Sequence, residues 1–439
     1  MNMNSLMMKS CWCTCSNLVF IMVVSLSVLV GCILKYQWIY DENVAYNIFV
    51  MLRPVTFPSV LNVFDKSLQE QIEHFQKLTE TMEQQSQSKY VAKFYGKEYY
   101  EASFGQNQTN IVSLFATTRP TTSPPPPPTR ATTTKGDDNY SVPIKCTCPY
   151  RVDSSEVEKP TLPLVLYYHG GGLLMGSIDG ELVWTRWLAQ TTNSVVCSVG
   201  YRKVPQYAYP IPINDAIYAS RSIILKSTSL TLSIEEELNV TIDYNRVATW
   251  GMSAGGYIAG HVVRQLLFDY EEKEEEGGGK DKNDEYEYEG VTFKCQFSLV
   301  PMVSPFAGTS SLIRYWDRMY SGYEYIYAWS KYLSRSSSSS PPPPPKNDND
   351  NYDHEQDGNI GPLISNWKVS LLVDPPFVSQ DTLKEKLPPT YIQIATQDIL
   401  RDEGEMYVTL SIYFCSPSPF LACVCVIAFT CFSHQRISF

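Results

Sequence analysis

The stretch Arg246-Val247-Ala248-Thr249-Trp250-Gly251-Met252-Ser253-Ala254-Gly255-Gly256 decides how the rest of the chain is read. Arg246–Gly251 is a short apolar run with strand character, and the small and apolar residues from Ala254 to Leu267 suit a helix. Between them Gly251-Met252-Ser253-Ala254-Gly255 fits G-x-S-x-G. A sharp strand-to-helix turn holds such a serine with its hydroxyl exposed, and only small neighbours permit the close backbone approach. The helix N-terminus also favours negative charge developing beside Ser253. The pattern alone is a weak signal; the strand–turn–helix context gives it weight.

Upstream stands His169-Gly170-Gly171-Gly172, directly after the apolar run Leu162–Tyr168. Acyl transfer passes through a tetrahedral oxyanion, which needs preorganised backbone N–H donors. A glycine run lets the backbone come that close. The expected donors are the N–H groups of Gly171, Gly172 and Ala254. His169, Gly170, Gly251 and Gly255 support the two turns. The alternative reading, a tight turn with a structural histidine, explains one motif but not the pair.

Further strands are expected at Ser194–Tyr201, Gln296–Val303 and Thr390–Thr396. Strands separated by helical stretches imply an α/β fold with a mostly parallel sheet and helices on both faces.

With both motifs in place, the sequence resembles the α/β-hydrolase superfamily, and within it the hormone-sensitive-lipase-like esterases. Tyr201-Arg202-Lys203-Val204-Pro205, followed by Tyr209-Pro210 and Asp215-Ala216, resembles that branch's Y-R-x-x-P…P…D-A segment. Leu387-Pro388-Pro389-Thr390 leading into Asp398-Ile399-Leu400-Arg401-Asp402-Glu403-Gly404 resembles its L-P-P…D-x-L-R-D-E segment. The likeness runs from about Ser141 to Tyr407. It departs at Met252, where an acid is usual, and at Gly200, where an Asp is usual. The resemblance implies the α/β-hydrolase fold and ester hydrolysis without metal or organic cofactor. An N-terminal apolar run adds a likeness to the membrane-anchored arylacetamide and steryl-acetate deacetylases, which implies a lipophilic short-acyl ester, such as a sterol acetate.

The fold's chain order is Ser…Asp…His. Asp398 follows the last apolar strand, and the resemblance selects it over its neighbours Asp402 and Glu403 as the acid. Of five histidines, His74 precedes the core, and His169 belongs to the glycine loop. His261 lies two turns along the helix after Ser253, and His354 lies in a polar insertion. By order His434 remains, delivered by a last strand within Leu421–Phe432. It lacks the His-Gly-Phe-like context of the branch, and Pro417 and Pro419 interrupt the helix expected before it. Two alternatives therefore stand beside an active esterase. One is a catalytically impaired, hydrolase-like binding protein; the other is a gene model truncated after about Leu410.

Residues 17–34 form an uncharged apolar run of near membrane-spanning length. A single-pass type II anchor follows, with residues 1–16 cytosolic and the rest lumenal, most simply in the endoplasmic reticulum. The sequons at Asn107, Asn139 and Asn239 fit that orientation. Residues 35–140 read as a helical cap and a Thr/Pro-rich spacer, with Leu61, Phe64, Leu68, Ile72, Phe75 and Leu78 forming one helical stripe. Residues 141–413 are the hydrolase domain, with low-complexity insertions at 271–290 and 336–358, and 414–439 form a Cys-rich apolar tail. The core keeps Cys146, Cys148, Cys197 and Cys295, with no paired C-x-x-C knuckles for zinc.

The 439 residues carry a net charge of −11 and 44% hydrophobic residues. Mean hydropathy is −0.20 and the pI is near 5.1. These values exclude a disordered chain and a multi-span transporter, and they leave no basic footprint for nucleic acid. The acidity has an address: Asp269–Glu289 holds 11 acids against 3 bases, and Lys346–Asp357 holds 5 against 1. It belongs to two insertions and says nothing of the substrate. Oligomeric state is not encoded in any of these patterns.

Overall fold

The computed structural model describes residues 66–86, 97–104, 110–117, 140–149, 159–225, 229–275, 291–305, 308–316, 322–334, 365–414 and 427–429. Chain contacts divide the protein into two units, residues 1–59 with 430–439, and residues 60–429. Every described residue lies in the second.

That unit is built on an eight-stranded sheet: β1 (Asn110–Thr117), β2 (Ser141–Cys148), β3 (Thr161–Tyr168), β4 (Val195–Val199), β5 (Thr241–Met252), β6 (Phe293–Leu299), β7 (Thr390–Ala395) and β8 (Ile427–Phe429). Their spatial order is β1-β2-β4-β3-β5-β6-β7-β8. From β4 to β8 all neighbours are parallel, and β2 is antiparallel to both β1 and β4. The expected mostly parallel sheet is therefore present.

Among the described residues ten helices accompany it: α1 (Leu68–Gln85), α2 (Lys97–Phe104), α3 (Leu182–Thr192), α4 (Ile211–Ile224), α5 (Ser229–Glu237), α6 (Ala254–Glu275), α7 (Ser310–Arg314), α8 (Gly322–Leu333), α9 (Gln380–Lys386) and α10 (Arg401–Phe414). Strand β3 shows why both faces are covered. Successive side chains of a strand point to opposite faces. Leu164, Leu166 and Tyr168 join the main core with Ile213 and Ile223 of α4 and Ile258 and Val262 of α6. Val165 and Tyr167 join a second cluster with Leu188 and Ala189 of α3, flanked by Trp184, Trp187 and Trp250. Each fully buried Leu or Ile contributes about 1.5–3 kcal/mol over leaving it exposed.

Several boundaries differ from expectation for physical reasons. β6 ends at Leu299 rather than Val303, because Val300 has φ 41° and Pro301 has no N–H for a ladder. β5 begins at Thr241, and its pairing with β3 jumps from Pro163↔Asp243 to Leu164↔Val247. Residues 271–275, expected to start a low-complexity insertion, are the last turn of α6. β1 and β2 complete one edge of the sheet, where no strand was expected. The stripe expected on α1 turns Phe75 inward (2% exposed) but leaves Leu68 out (55% exposed); Leu61 and Phe64 lie outside the described residues.

Cys146 and Cys197 are paired residues of β2 and β4 and form a disulfide. Cys148 is buried and Cys295 half-buried. Among the described residues no helix is long and apolar enough to cross a membrane. The span expected over 17–34 lies outside them.

Candidate active site

In parallel sheets of this kind, functional residues collect beyond the carboxyl ends of the strands, where the strand order reverses. Here β3 leads to β4 on one side, and β5 then returns to the other side of β3. The ends of β3 and β5 lie side by side, with Tyr168 opposite Gly251. The next residues, His169 and Ser253, start the two glycine-bearing turns.

Ser253 has φ 55°, the left-handed region that a side chain adopts only under strain. The surroundings hold it there. Its N–H donates to Leu299 O (2.8 Å), and its carbonyl accepts from Gly256 N–H (3.0 Å) and Met302 N–H (3.1 Å). Gly251 is needed because a β-carbon there would strike the carbonyl of Gly255. A β-carbon on Gly255 would likewise strike the carbonyl of Tyr168, so the turn packs directly on the end of β3. Ala254 is buried as the first residue of α6.

Across from the serine, a β-carbon on Gly170 would lie 3.7 Å from Ser253 Cβ. Gly171 and Gly172 have φ 110° and 62°. Gly171 O accepts from the N–H of Leu174 and of Met175, both at 3.0 Å. Among the described residues, the N–H groups of Gly171 and Gly172 have no acceptor. Two backbone donors are thus left over in a loop beside Ser253, as an oxyanion site requires.

His169 is a brace for this loop. Its Nδ1 lies 2.8 Å from Gly170 O, and its ring stacks on Tyr201 with centroids 4.3 Å apart. Tyr201 O–H donates to His169 O at 2.7 Å. Burial, reinforced by the Lys203 charge, pushes the imidazole down to about 3, so the ring is neutral at ordinary pH. The Tyr201-Arg202…Asp215 segment has its own reason. Arg202 grips Asp215 through Nε–Oδ2 (2.8 Å) and Nη2–Oδ1 (2.7 Å), a buried two-point pair that fixes Tyr201 in place.

Asp398 follows β7, two strands beyond β5. Its Oδ1 accepts Leu400 N–H at 2.8 Å, and Oδ2 accepts no hydrogen bond from the described residues. Burial holds its carboxyl above the usual carboxylate range. Its two rivals are fully engaged. Asp402 accepts Ser311 N–H (2.7 Å) and pairs with Arg401. Glu403, wholly buried, accepts Val303 N–H (3.0 Å), Ser304 N–H (3.4 Å) and Tyr325 O–H (2.5 Å). Burial pushes it up to about 7. Of the three, only Asp398 keeps a carboxylate oxygen without a hydrogen bond from the described residues.

His261 is buried, and burial lowers its pKa strongly. It packs on Tyr257 within α6, 4.4 Å between ring centres. His434, Asn107 and Asn139 lie outside the described residues. β8 pairs in parallel with β7, matching Ala395 with Phe429. The last strand expected within Leu421–Phe432 thus exists at Ile427–Phe429, and its carboxyl end adjoins the β7 end that leads to Asp398. Asn239 is exposed. Among the described residues, no cluster of His, Cys, Asp and Glu could hold a metal ion.

Glu181 escaped the sequence reading. It is buried in front of α3, and its Oε1 accepts Gly170 N–H at 2.9 Å while Oε2 accepts Tyr167 O–H at 2.7 Å. No local motif announces it, because both partners lie more than ten residues upstream.

The sheet, the strained serine turn and the glycine loop define an α/β-hydrolase-fold protein. A family model described as alpha/beta hydrolase fold matches residues 165–352. Among its relatives, arylacetamide deacetylase-like 3 of Homo sapiens is 34% identical over 123 residues, covering 28% of each chain. Arylacetamide deacetylase of Bos taurus is 25% identical over 278 residues, covering 56% of this chain and 62% of that one. The chain therefore matches less than two thirds of either relative's length. A solved arylesterase structure superposes with TM-score 0.50 at 18% identity, covering 88% of each chain; that likeness concerns the fold.

Proposed function

We propose that the protein is a serine carboxylic-ester hydrolase acting on lipophilic short-acyl esters, with sterol acetates as the model substrate class. One observation carries this reading: Ser253 is held at φ 55° opposite a glycine loop that leaves two N–H groups unused. Ser253 Oγ attacks the ester carbonyl and passes its proton to a histidine, for which chain order and the β8 position favour His434. Asp398 orients that histidine. Gly171, Gly172 and Ala254 N–H groups stabilise the oxyanion. The tetrahedral intermediate expels the alcohol, which takes the proton. Water then attacks the acyl-serine with the same histidine as base, releasing the carboxylic acid and restoring the serine. The steps need no metal or organic cofactor.

The lipophilic substrate class rests on analogy with the deacetylase relatives and on α1. This helix lies over the loop after the glycine run: Thr79 Oγ1 accepts Gly176 N–H (3.1 Å), and Glu83 accepts Ser177 O–H (2.6 Å). Phe75 of α1 packs near Tyr327 of α8. The type II anchor at 17–34, with the hydrolase in the endoplasmic reticulum lumen, is part of the proposal. The Cys146–Cys197 disulfide and the exposed Asn239 sequon support it, since disulfides persist in oxidising compartments.

The test is labelling of the full chain by a fluorophosphonate probe, with hydrolysis of p-nitrophenyl acetate measured alongside. Labelling confined to Ser253 and abolished in Ser253→Ala is expected. Folded protein that neither labels nor hydrolyses would instead identify a hydrolase-like binding protein.

A further inference from the structure

We propose that Glu181 is the positioning residue of the glycine loop: its carboxylate takes no part in hydrolysis but, together with Tyr201, fixes the His169–Gly170 peptide plane from which the Gly171 and Gly172 N–H groups are presented. The inference rests on the reading of that loop as the oxyanion site.

Three carbonyls of the loop and one of its N–H groups are bonded. His169 O accepts from Tyr201, and Gly170 O is met by His169 Nδ1. Gly171 O accepts from Leu174 and Met175. All of these hold carbonyls. The N–H at the entry to the loop, that of Gly170, donates to Glu181 Oε1. A peptide unit is planar, so the Glu181 bond to Gly170 N–H and the Tyr201 bond to His169 O together fix the His169–Gly170 plane, from which the chain enters the loop. Glycines would otherwise leave that rotation open, because they adopt positive φ as readily as negative.

Glu181 is itself well anchored. Its carbonyl accepts from Trp184 (3.0 Å) and Thr185 (3.2 Å) as α3 begins. Its second carboxylate oxygen is held by Tyr167 on β3, and the side chain is 3% exposed. The loop is thereby referred to two rigid elements, β3 and α3, rather than to its own flexible backbone. A catalytic group displaced by about 1 Å loses about 10²-fold in rate.

Two variants in the full chain separate geometry from charge. Glu181→Asp keeps the charge but is one methylene short of Gly170. Glu181→Gln loses the charge but keeps an oxygen for Gly170 and an N–H for Tyr167. In Glu181→Asp, amide hydrogen exchange of the peptide spanning residues 169–176 should rise about tenfold while β5 peptides stay unchanged. Its kcat for p-nitrophenyl acetate should fall about 10²-fold, with KM within threefold. Glu181→Gln should stay within about fivefold of the parent in both. An Asp variant that matches the parent in loop exchange overturns the inference, as does a Gln variant as impaired as the Asp variant. Should the parent chain hydrolyse no ester, the serine-hydrolase reading falls, and the exchange measurement alone decides the role of Glu181.

Discussion

Breaking the Cys146–Cys197 bridge should lower the stability of the fold by about 4 kcal/mol. The two cysteines face each other across the antiparallel β2–β4 pair and are separated by 51 residues. In the chain-entropy account, a cross-link closing a loop of n residues removes about 2.1 + 1.5R ln n cal/mol/K from the unfolded chain. For this loop that is about 14 cal/mol/K, or about 4 kcal/mol at 25 °C. Both cysteines are fully buried, so reductant reaches the bridge only when the sheet edge opens. The assay is equilibrium urea unfolding of the oxidised protein, of the protein reduced in denaturant, and of the Cys146→Ala/Cys197→Ala double variant. The reduced protein should lose about 4 kcal/mol, and the double variant somewhat more, since it also loses two buried sulfur atoms. A loss under about 1 kcal/mol in both, with native secondary structure intact, would refute the reasoning. The loop closed by the bridge contains β3, the glycine turn and α3, so reduction should also raise hydrogen exchange of residues 169–176.

Three further outcomes follow from the site. Asp398→Asn should reduce kcat by about 10³- to 10⁴-fold, because an amide orients the wrong histidine tautomer; Asp402→Asn should reduce it far less, and equal losses in steady-state kinetics would remove Asp398 from its role. Gly255→Ala should leave too little room beside Tyr168 and abolish fluorophosphonate labelling of Ser253, read by in-gel fluorescence; a normally labelled variant contradicts the close packing of the turn on β3. Stability should pass through a maximum as pH is scanned. Glu181 and Glu403 are both pushed up to about 7 by burial, so each contributes stability that is complete below its unfolded value near 4.5 and lost as pH rises through 7. Each is worth up to about 3 kcal/mol. His169, pushed down to about 3, acts on the acid side: its neutral form is favoured, and stability falls as pH drops below 6.5. Glu403→Gln should flatten the alkaline limb in thermal denaturation, and an unchanged limb counts against the burial argument.

The central strands and both turns were legible because their signals are local. Gly251 and Gly255 are fixed by clashes within a few residues of Ser253 or with its neighbouring strand, so small residues recur at set spacing. β1 and β2 were not legible. β2 alternates buried Val142, Ile144 and Cys146 with half-buried residues, yet it stands directly after a Thr/Pro-rich tract whose composition dominates the reading. The disulfide was equally silent, since four core cysteines permit several pairings and only the β2–β4 register chooses among them. Glu181 and Glu403 were hidden for a third reason. Each accepts from backbone N–H, which every residue carries, and from one distant tyrosine hydroxyl, so no local side-chain pattern marks the receiving end. Asp398 was selected by resemblance, and the structure adds a physical ground: its neighbours are already spoken for.

The parallel pairing of β5 with β6 has a practical consequence. To enter a parallel strand the chain must return to the opposite edge of the sheet, and α6 makes that return, its 22 residues spanning about 33 Å. Glu275 and Val291 therefore stand toward the end of the sheet remote from Ser253. A fluorescent reporter or affinity tag spliced between those two residues would ride on the back of the molecule, leaving the substrate side untouched.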